Sequence, residues 1–157
     1  MSKRLTDVRG WTDGQVSPLV VSFVGRPRSW ARTNTYNGRR ITPKPLRVYK
    51  RAAESVMRIA TLARSNWPSD ADDARFSVSI AFRLPDRRRC DLDNLAKAVL
   101  DAGNRLLWRD DSQIDRLDLT KTHRASDAGW NMTVEVCRDG EGFIDREEKM
   151  RERLGDG

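Results

Sequence analysis

The sequence predicts an α/β fold of the α+β kind, a small mixed sheet packed against two main helices. Three observations predict it. Residues 75–84, RFSVSIAFRL, alternate apolar and polar side chains with the period of two that a half-buried strand requires. Two other stretches, about 46–64 and 92–106, repeat apolar residues at spacings of three and four, the core-facing stripe of a helix. Strand signals fall before, between and after these helices, an order that suits a sheet with helices laid against it.

The elements follow in order. PLVVSFVG (18–25) is rich in β-branched and aromatic residues and reads as a buried first strand ending at Gly25. A long basic connection, RPRSWARTNTYNGRRITPKP, carries the tight-turn pair Asn37-Gly38. Pro45 marks the start of the first helix, where its missing N–H costs nothing. Leu46, Tyr49, Ala53, Val56, Ala60 and Ala63 form its stripe, which Ile59 and Leu62 widen. The second strand (75–84) is stopped by Pro85. The second helix starts near Leu92 and faces the core with Leu92, Leu95, Val99, Ala102 and Leu106; Asp91 stands where a carboxylate can cap it. After the polar turn at Arg109-Asp110-Asp111-Ser112, QIDRLDLTK reads as a strand with Leu117 and Leu119 on one face. Asp115 falls on that face too, an imperfection in the pattern. WNMTVEV (130–136) supplies a further strand. This gives one domain over 18–137, a loosely held polar extension over 1–17 and a charged tail over 138–157.

Composition narrows the class of function. The 157 residues are 38% hydrophobic with five tryptophans, enough for a core, and no run approaches the twenty apolar residues of a membrane span. Residues 1–15 lack the apolar run of a signal peptide, so cytoplasm is the default expectation. Cys90 and Cys137 show no zinc-type spacing, and nothing calls for a disulfide. The formal charge of +7 favours a polyanionic partner. Its distribution says more: residues 26–50 hold eight cations (Arg26, Arg28, Arg32, Arg39, Arg40, Lys44, Arg47 and Lys50) and no acid.

Against that basic background stands CDLDNLAK (90–97), followed by DDSQ from 110. Asp91 and Asp93 lie two apart where a loop becomes a helix, so they can converge on one point there but would diverge inside the helix. Asp111, and Asp110 beside it, could join them only if the next strand runs back beside the strand ending at Leu84. Two carboxylates about 4 Å apart repel by about 4 kcal/mol at an effective dielectric near 20. A divalent ion relieves that repulsion, and an all-oxygen ligand set suits Mg²⁺ or Mn²⁺. The plain alternative is a helix cap in an Asp-rich turn. Lys97, four residues after Asp93, is either a surface ion pair worth about 0.3–0.5 kcal/mol or a cation that faces a phosphate. Arg87, Arg88 and Arg89 beside the acids would gather phosphate oxygens, and hydrolysis of a phosphodiester needs both kinds of group.

DRRRCDLDNLAKAVLDA (86–102), WRDDSQI (108–114) and the earlier GRPRSW…GRRITPKPLRVYK closely resemble the RusA-like endodeoxyribonucleases, which resolve Holliday junctions and occur widely in phages and prophages. The signature of that family runs R-x-D-x-D-N-x-x-K, then D-A, then D-D-x-Q-[IV], and the resemblance covers about residues 18–136. It implies a homodimer of a small mixed α/β fold that makes paired, Mg²⁺-dependent cuts in a four-way junction, with Mn²⁺ as a substitute. It implies metal ligation by Asp91, Asp93 and Asp111, with Asp110 as the adjacent acid, and an essential Lys97. GNRLLW, between Ala102 and Arg109, departs from members with a longer segment there. The first fifteen residues and the tail match no part of the pattern.

DNA contact is expected from Arg26, Arg28, Arg32, Arg39, Arg40, Lys44, Arg87, Arg88, Arg89 and Lys121. Trp30 or Tyr36 is either a wedge against an exposed base pair or a packed aromatic, and Leu106, Leu107 and Trp108 are either core or a subunit contact. Two other functions compete: a branched-DNA binder without catalysis, and a metal-dependent nuclease acting on flaps or RNA.

Overall fold

The computed structural model describes residues 19–30, 34–64, 67, 72–84, 87, 89–123 and 132–138. The expected extension, and the expected tail apart from Arg138 at the end of the last strand, therefore lie outside the described residues, as do Arg32 and Arg88. The strands are β1 (Leu19–Phe23), β2 (Asn34–Tyr36), β3 (Arg39–Ile41), β4 (Phe76–Arg83), β5 (Ile114–Thr122) and β6 (Met132–Arg138). The helices are α1 (Lys44–Leu62) and α2 (Leu92–Gly103), and a 3₁₀ turn covers Asp111–Gln113. Four strands form one sheet in the order β1-β6-β4-β5, and β2 and β3 form a separate hairpin. The β4–β5 pairing is parallel, whereas β1–β6 and β4–β6 are antiparallel. The predicted mixed sheet with two helices is thus the observed architecture. A parallel pair needs a long crossover, which α2 supplies.

Alternation decides which face of the sheet is buried. Phe76, Val78, Ile80 and Phe82 of β4, Leu19, Val21 and Phe23 of β1, and Met132, Val134 and Val136 of β6 are all buried. They pack with Ala53, Val56, Met57 and Ala60 of α1 and Leu95, Val99 and Ala102 of α2. Burial pushes the Tyr49 phenol well up from its ordinary range, and its hydroxyl donates to Met132 Sδ at 3.0 Å. On α1 the stripe is narrower than its sequence suggests. Met57 fills the core position, while Ile59 and Leu62 are 47% and 77% exposed, because 100° per residue carries them round to the solvent side. The helix also begins earlier, at Lys44 with Pro43 before it.

A β-bulge explains the imperfect alternation of β5. Phe76 pairs with Ile114 but Ser77 with Arg116, so Asp115 is left over and turns to an ion pair with Arg75. Beyond the bulge Leu117 and Leu119 oppose Val78 and Ile80; Leu119 packs against the core, whereas Leu117 stays 39% exposed. GNRLLW closes the end of α2. Leu106 and Leu107 N–H groups donate to Gly103 O (3.0 and 2.8 Å), and the Trp108 indole donates to Asn104 Oδ1 at 2.9 Å. Trp108 lies so close over Gly103 that a Cβ there would run into the indole ring. Leu107 and Trp108 are fully buried and Leu106 packs against them, so this segment is core.

Candidate active site and nucleic-acid surface

Two ends of the β4–β5 pair carry the two halves of the acidic motif. At the C-terminal end, β4 feeds the connection to α2, and Lys121 Nζ on β5 donates to the Cys90 carbonyl at 2.7 Å. That brace fixes the residue immediately before Asp91. Asp91 has extended backbone at the N-cap of α2, but its carboxylate makes no capping hydrogen bond. It accepts instead from Asn94 Nδ2 at 3.3 Å. The expected cap is therefore not formed, because the side chain is turned to Asn94 rather than to the free N–H groups. Asp93 is exposed in the first turn of α2, where the positive end of the helix dipole favours negative charge.

A pocket of about 190 Å³ adjoins these acids, lined by Arg26, Arg28, Ser29 and Arg89 with Leu84, Leu95 and Cys90. Lys97 forms no ion pair with Asp93. Its ammonium lies over the Trp30 ring, 4.1 Å from the centroid, and the Trp30 main-chain N–H donates to Asn94 O at 2.8 Å. Elsewhere on the surface, Arg39, Arg40 and Tyr36 are exposed on the β2–β3 hairpin, with Lys44 exposed at the start of α1. Asn37 and Gly38 both have positive φ (49° and 73°), the backbone of the tight turn that the Asn-Gly pair predicted. Tyr36 is 69% exposed.

Asp110 and Asp111 sit at the other end of the pair. Gln113 is buried there and locks the turn: its Oε1 accepts from the N–H groups of Arg109 and Asp110 (2.8 and 3.3 Å), and its Nε2 donates to Ala74 O at 3.1 Å. Asp110 caps the 3₁₀ turn, accepting from the Ser112 N–H at 3.0 Å. Hydrogen bonds from the Ser112 side chain and backbone hold the Asp110 carboxyl below its ordinary range. Asp110, the adjacent acid of the motif, thus caps the turn, and both it and Asp111 are exposed. An aromatic cluster stiffens this end, with Trp67 stacked on Phe76 and Phe76 tilted against Trp108 (centroids 5.9 and 6.4 Å apart).

The parallel register sets how far apart the two ends lie. Phe76 pairs with Ile114 and Phe82 with Lys121, so at about 3.3 Å per residue the strand from Ile114 to Lys121 spans about 23 Å. Asp111 lies beyond the first of these and Asp91 beside the second. The following strand does run beside β4, as convergence required, but in the direction that carries Asp111 away. Among the described residues no three His, Cys, Asp or Glu side chains gather into a set that could hold a metal ion.

The family model for the endodeoxyribonuclease RusA matches residues 21–135, from β1 through β6. The chain belongs to the RusA family. It is therefore placed among endodeoxyribonucleases, and the matched segment contains both the D-x-D junction and the D-D-x-Q turn. No curated protein matches the chain. No helix among the described residues is long and apolar enough to cross a membrane.

Three residues whose contacts sequence reasoning did not foresee brace the two halves of this candidate site: Asn94, Gln113 and Trp30. Asn94 and Gln113 were visible as fixed letters of the motif, but their partners were not. Trp30 carried no signal beyond being an aromatic inside a basic stretch.

The charge on Asp91 serves no cap and no ion pair among the described residues, and it stands beside Asp93 in the sequence. Asp91→Asn is therefore expected to abolish cleavage while leaving the metal-free fold equally stable or more so, since Asn also caps helices well. Thermal unfolding in EDTA checks this. A clear drop in Tm would mean that the carboxylate supports the fold through the helix dipole or an arginine.

Proposed function

We propose that this protein is a Mg²⁺-dependent endonuclease that resolves four-way DNA junctions as a homodimer, each active site being built from both subunits. Membership of the RusA family supports the reaction class. The observation that carries the composite site is the parallel β4–β5 pairing, which leaves Asp111 about a sheet length from Asp91 and Asp93 of its own chain. A two-fold axis cures this. If Asp111 of one subunit reaches the D-x-D junction of the other, symmetry makes the reciprocal contact and creates two equivalent sites. A four-way junction has matching approximate two-fold symmetry, and its resolution needs two cuts.

The donor set fits a hard cation: exposed carboxylates only, one pair on the positive end of a helix. Asp91 and Asp93 of one subunit with Asp111 of the other would hold Mg²⁺, which would supply neutralising charge at the phosphate and a more acidic water. Arg26, Arg28 and Arg89 around the pocket, with Arg87 beside them, grip phosphates next to the cut. Arg39, Arg40 and Lys44 hold a neighbouring arm. Lys97 faces the scissile phosphate and balances the charge that grows on its oxygens. Water adds in line at phosphorus, the P–O3′ bond breaks and the 3′-oxygen takes up a proton, leaving 5′-phosphate and 3′-hydroxyl ends. Such a protein would act in recombination or repair in the cytoplasm.

The test is a panel of labelled four-way, three-way, flap and linear duplex substrates with Mg²⁺ or Mn²⁺, with Asp93→Asn as control. Wild-type protein is expected to cut the four-way junction in symmetric pairs and the linear duplex hardly at all. Equal rates on all four would remove the junction assignment, and binding without cleavage would leave a branched-DNA binder.

A further inference from the structure

Lys97 stands on an exposed turn of α2, and a lysine side chain loses more rotamer freedom than most when it is fixed in place. Its ammonium nevertheless lies 4.1 Å from the centroid of the Trp30 ring. A second contact anchors the backbone that carries the ring, because the Trp30 main-chain N–H donates to Asn94 O at 2.8 Å, on the same turn of the helix. Asn94 in turn donates through its side chain to Asp91. One short segment therefore ties the lysine and the first acid into a single unit.

The nature of the contact matters. An ion pair with Asp93, four residues back, would occupy the lysine's N–H donors and draw on a carboxylate needed elsewhere. The face of an indole attracts a cation without accepting its protons or cancelling its charge. It also covers that face of the ring, so Trp30 as it stands here is not the wedge against a base pair that its basic surroundings suggested.

We propose that Trp30 is a positioning residue, a platform that holds the Lys97 ammonium in place with its donors free toward the scissile phosphate. This rests on the reading of Lys97 given above. The experiment compares Trp30→Phe and Trp30→Leu with wild type in single-turnover cleavage of a pre-bound four-way junction in Mg²⁺. Junction affinity, Tm and the NMR signals of the Lys97 side-chain methylenes in ¹³C-lysine protein are measured alongside.

In the wild type the ring current should shift those methylenes upfield. Trp30→Leu should remove the shift and slow cleavage by about 10- to 100-fold, the scale on which small misplacements of a reacting group act. Affinity and Tm should stay near wild type, and Trp30→Phe should recover most of both the shift and the rate. If Trp30→Leu lowers Tm below the assay temperature, Trp30→Met takes its place in the same comparison. An unshifted Lys97 in wild type, a rate loss matched by lost affinity, or full activity in Trp30→Leu would each overturn the proposal. Failure of wild type to cut at all would instead remove the nuclease reading beneath it.

Discussion

Asp93→Asn and Asp111→Asn proteins, each inactive alone, are expected to recover cleavage when they are co-expressed or refolded together. In a heterodimer of the two, one site combines both substitutions. The other receives Asp91 and Asp93 from the Asp111→Asn subunit and Asp111 from the Asp93→Asn subunit, so it is wild type throughout. Had all three acids come from one chain, both sites of the heterodimer would carry a substitution and mixing would restore nothing. Each homodimeric variant should lose about 10²- to 10³-fold in rate, since it removes a charge that stabilises the transition state directly or through the ion it holds.

Random mixing of equal amounts makes about half the dimers heterodimers, with one live site each, so recovery should approach about a quarter of the wild-type sites. The products should also differ in kind. A dimer with one working site nicks, so denaturing gels should show cut strands while native gels show few resolved duplexes. Absence of any recovery, with heterodimers verified by differently tagged subunits, would place Asp111 outside the partner's site. Full activity in Asp111→Asn would remove it from the metal set altogether.

What the sequence disclosed, and what it withheld, follows from the range of each signal. β4, the Asn37-Gly38 hairpin and the two helix stripes are local patterns; side chains two, three or four residues apart report which face is buried, and those elements stand where they were expected. The position of Asp111 depends on whether β5 runs with or against β4. No spacing within 110–122 encodes that direction, because it is set by how α2 packs between the strands. The same limit hid the partners of Gln113, which lie about forty residues upstream at Ala74 and Asp72. Asp91 is a subtler case. It does occupy the N-cap position, yet its side chain is held by Asn94, so a correct local placement led to the wrong hydrogen bond. On α1, small residues at 52, 53 and 60 blurred the edge of the stripe, and burial followed Met57 rather than Ile59.

Junction binding should weaken by at least about 10³-fold between about 50 and 200 mM salt, the loss typical of a protein that makes six to ten phosphate contacts. The acids do not cancel this: Arg26, Arg28 and Arg89 converge on a pocket with no acid in its lining, and Arg39 and Arg40 project on a hairpin that contains no acid. Neutralising a cation that touches phosphate should lower the slope of log K against log salt by about one, while leaving the sequence preference unchanged. Arg39→Gln and Arg40→Gln, both exposed and far from the braces of the fold, are expected to behave in that way. Lys121→Met is expected to behave differently, although sequence reading groups it with the same cations. Its ammonium is committed to the Cys90 carbonyl, so its loss should leave the salt slope unchanged and instead slow cleavage, by releasing the residue that positions Asp91. Binding measured by fluorescence anisotropy across a salt series, with single-turnover rates on the same proteins, separates the two classes. A flat salt dependence in wild type would contradict the phosphate-gripping surface, and a slope reduced by Lys121→Met with an unchanged rate would return that lysine to the DNA.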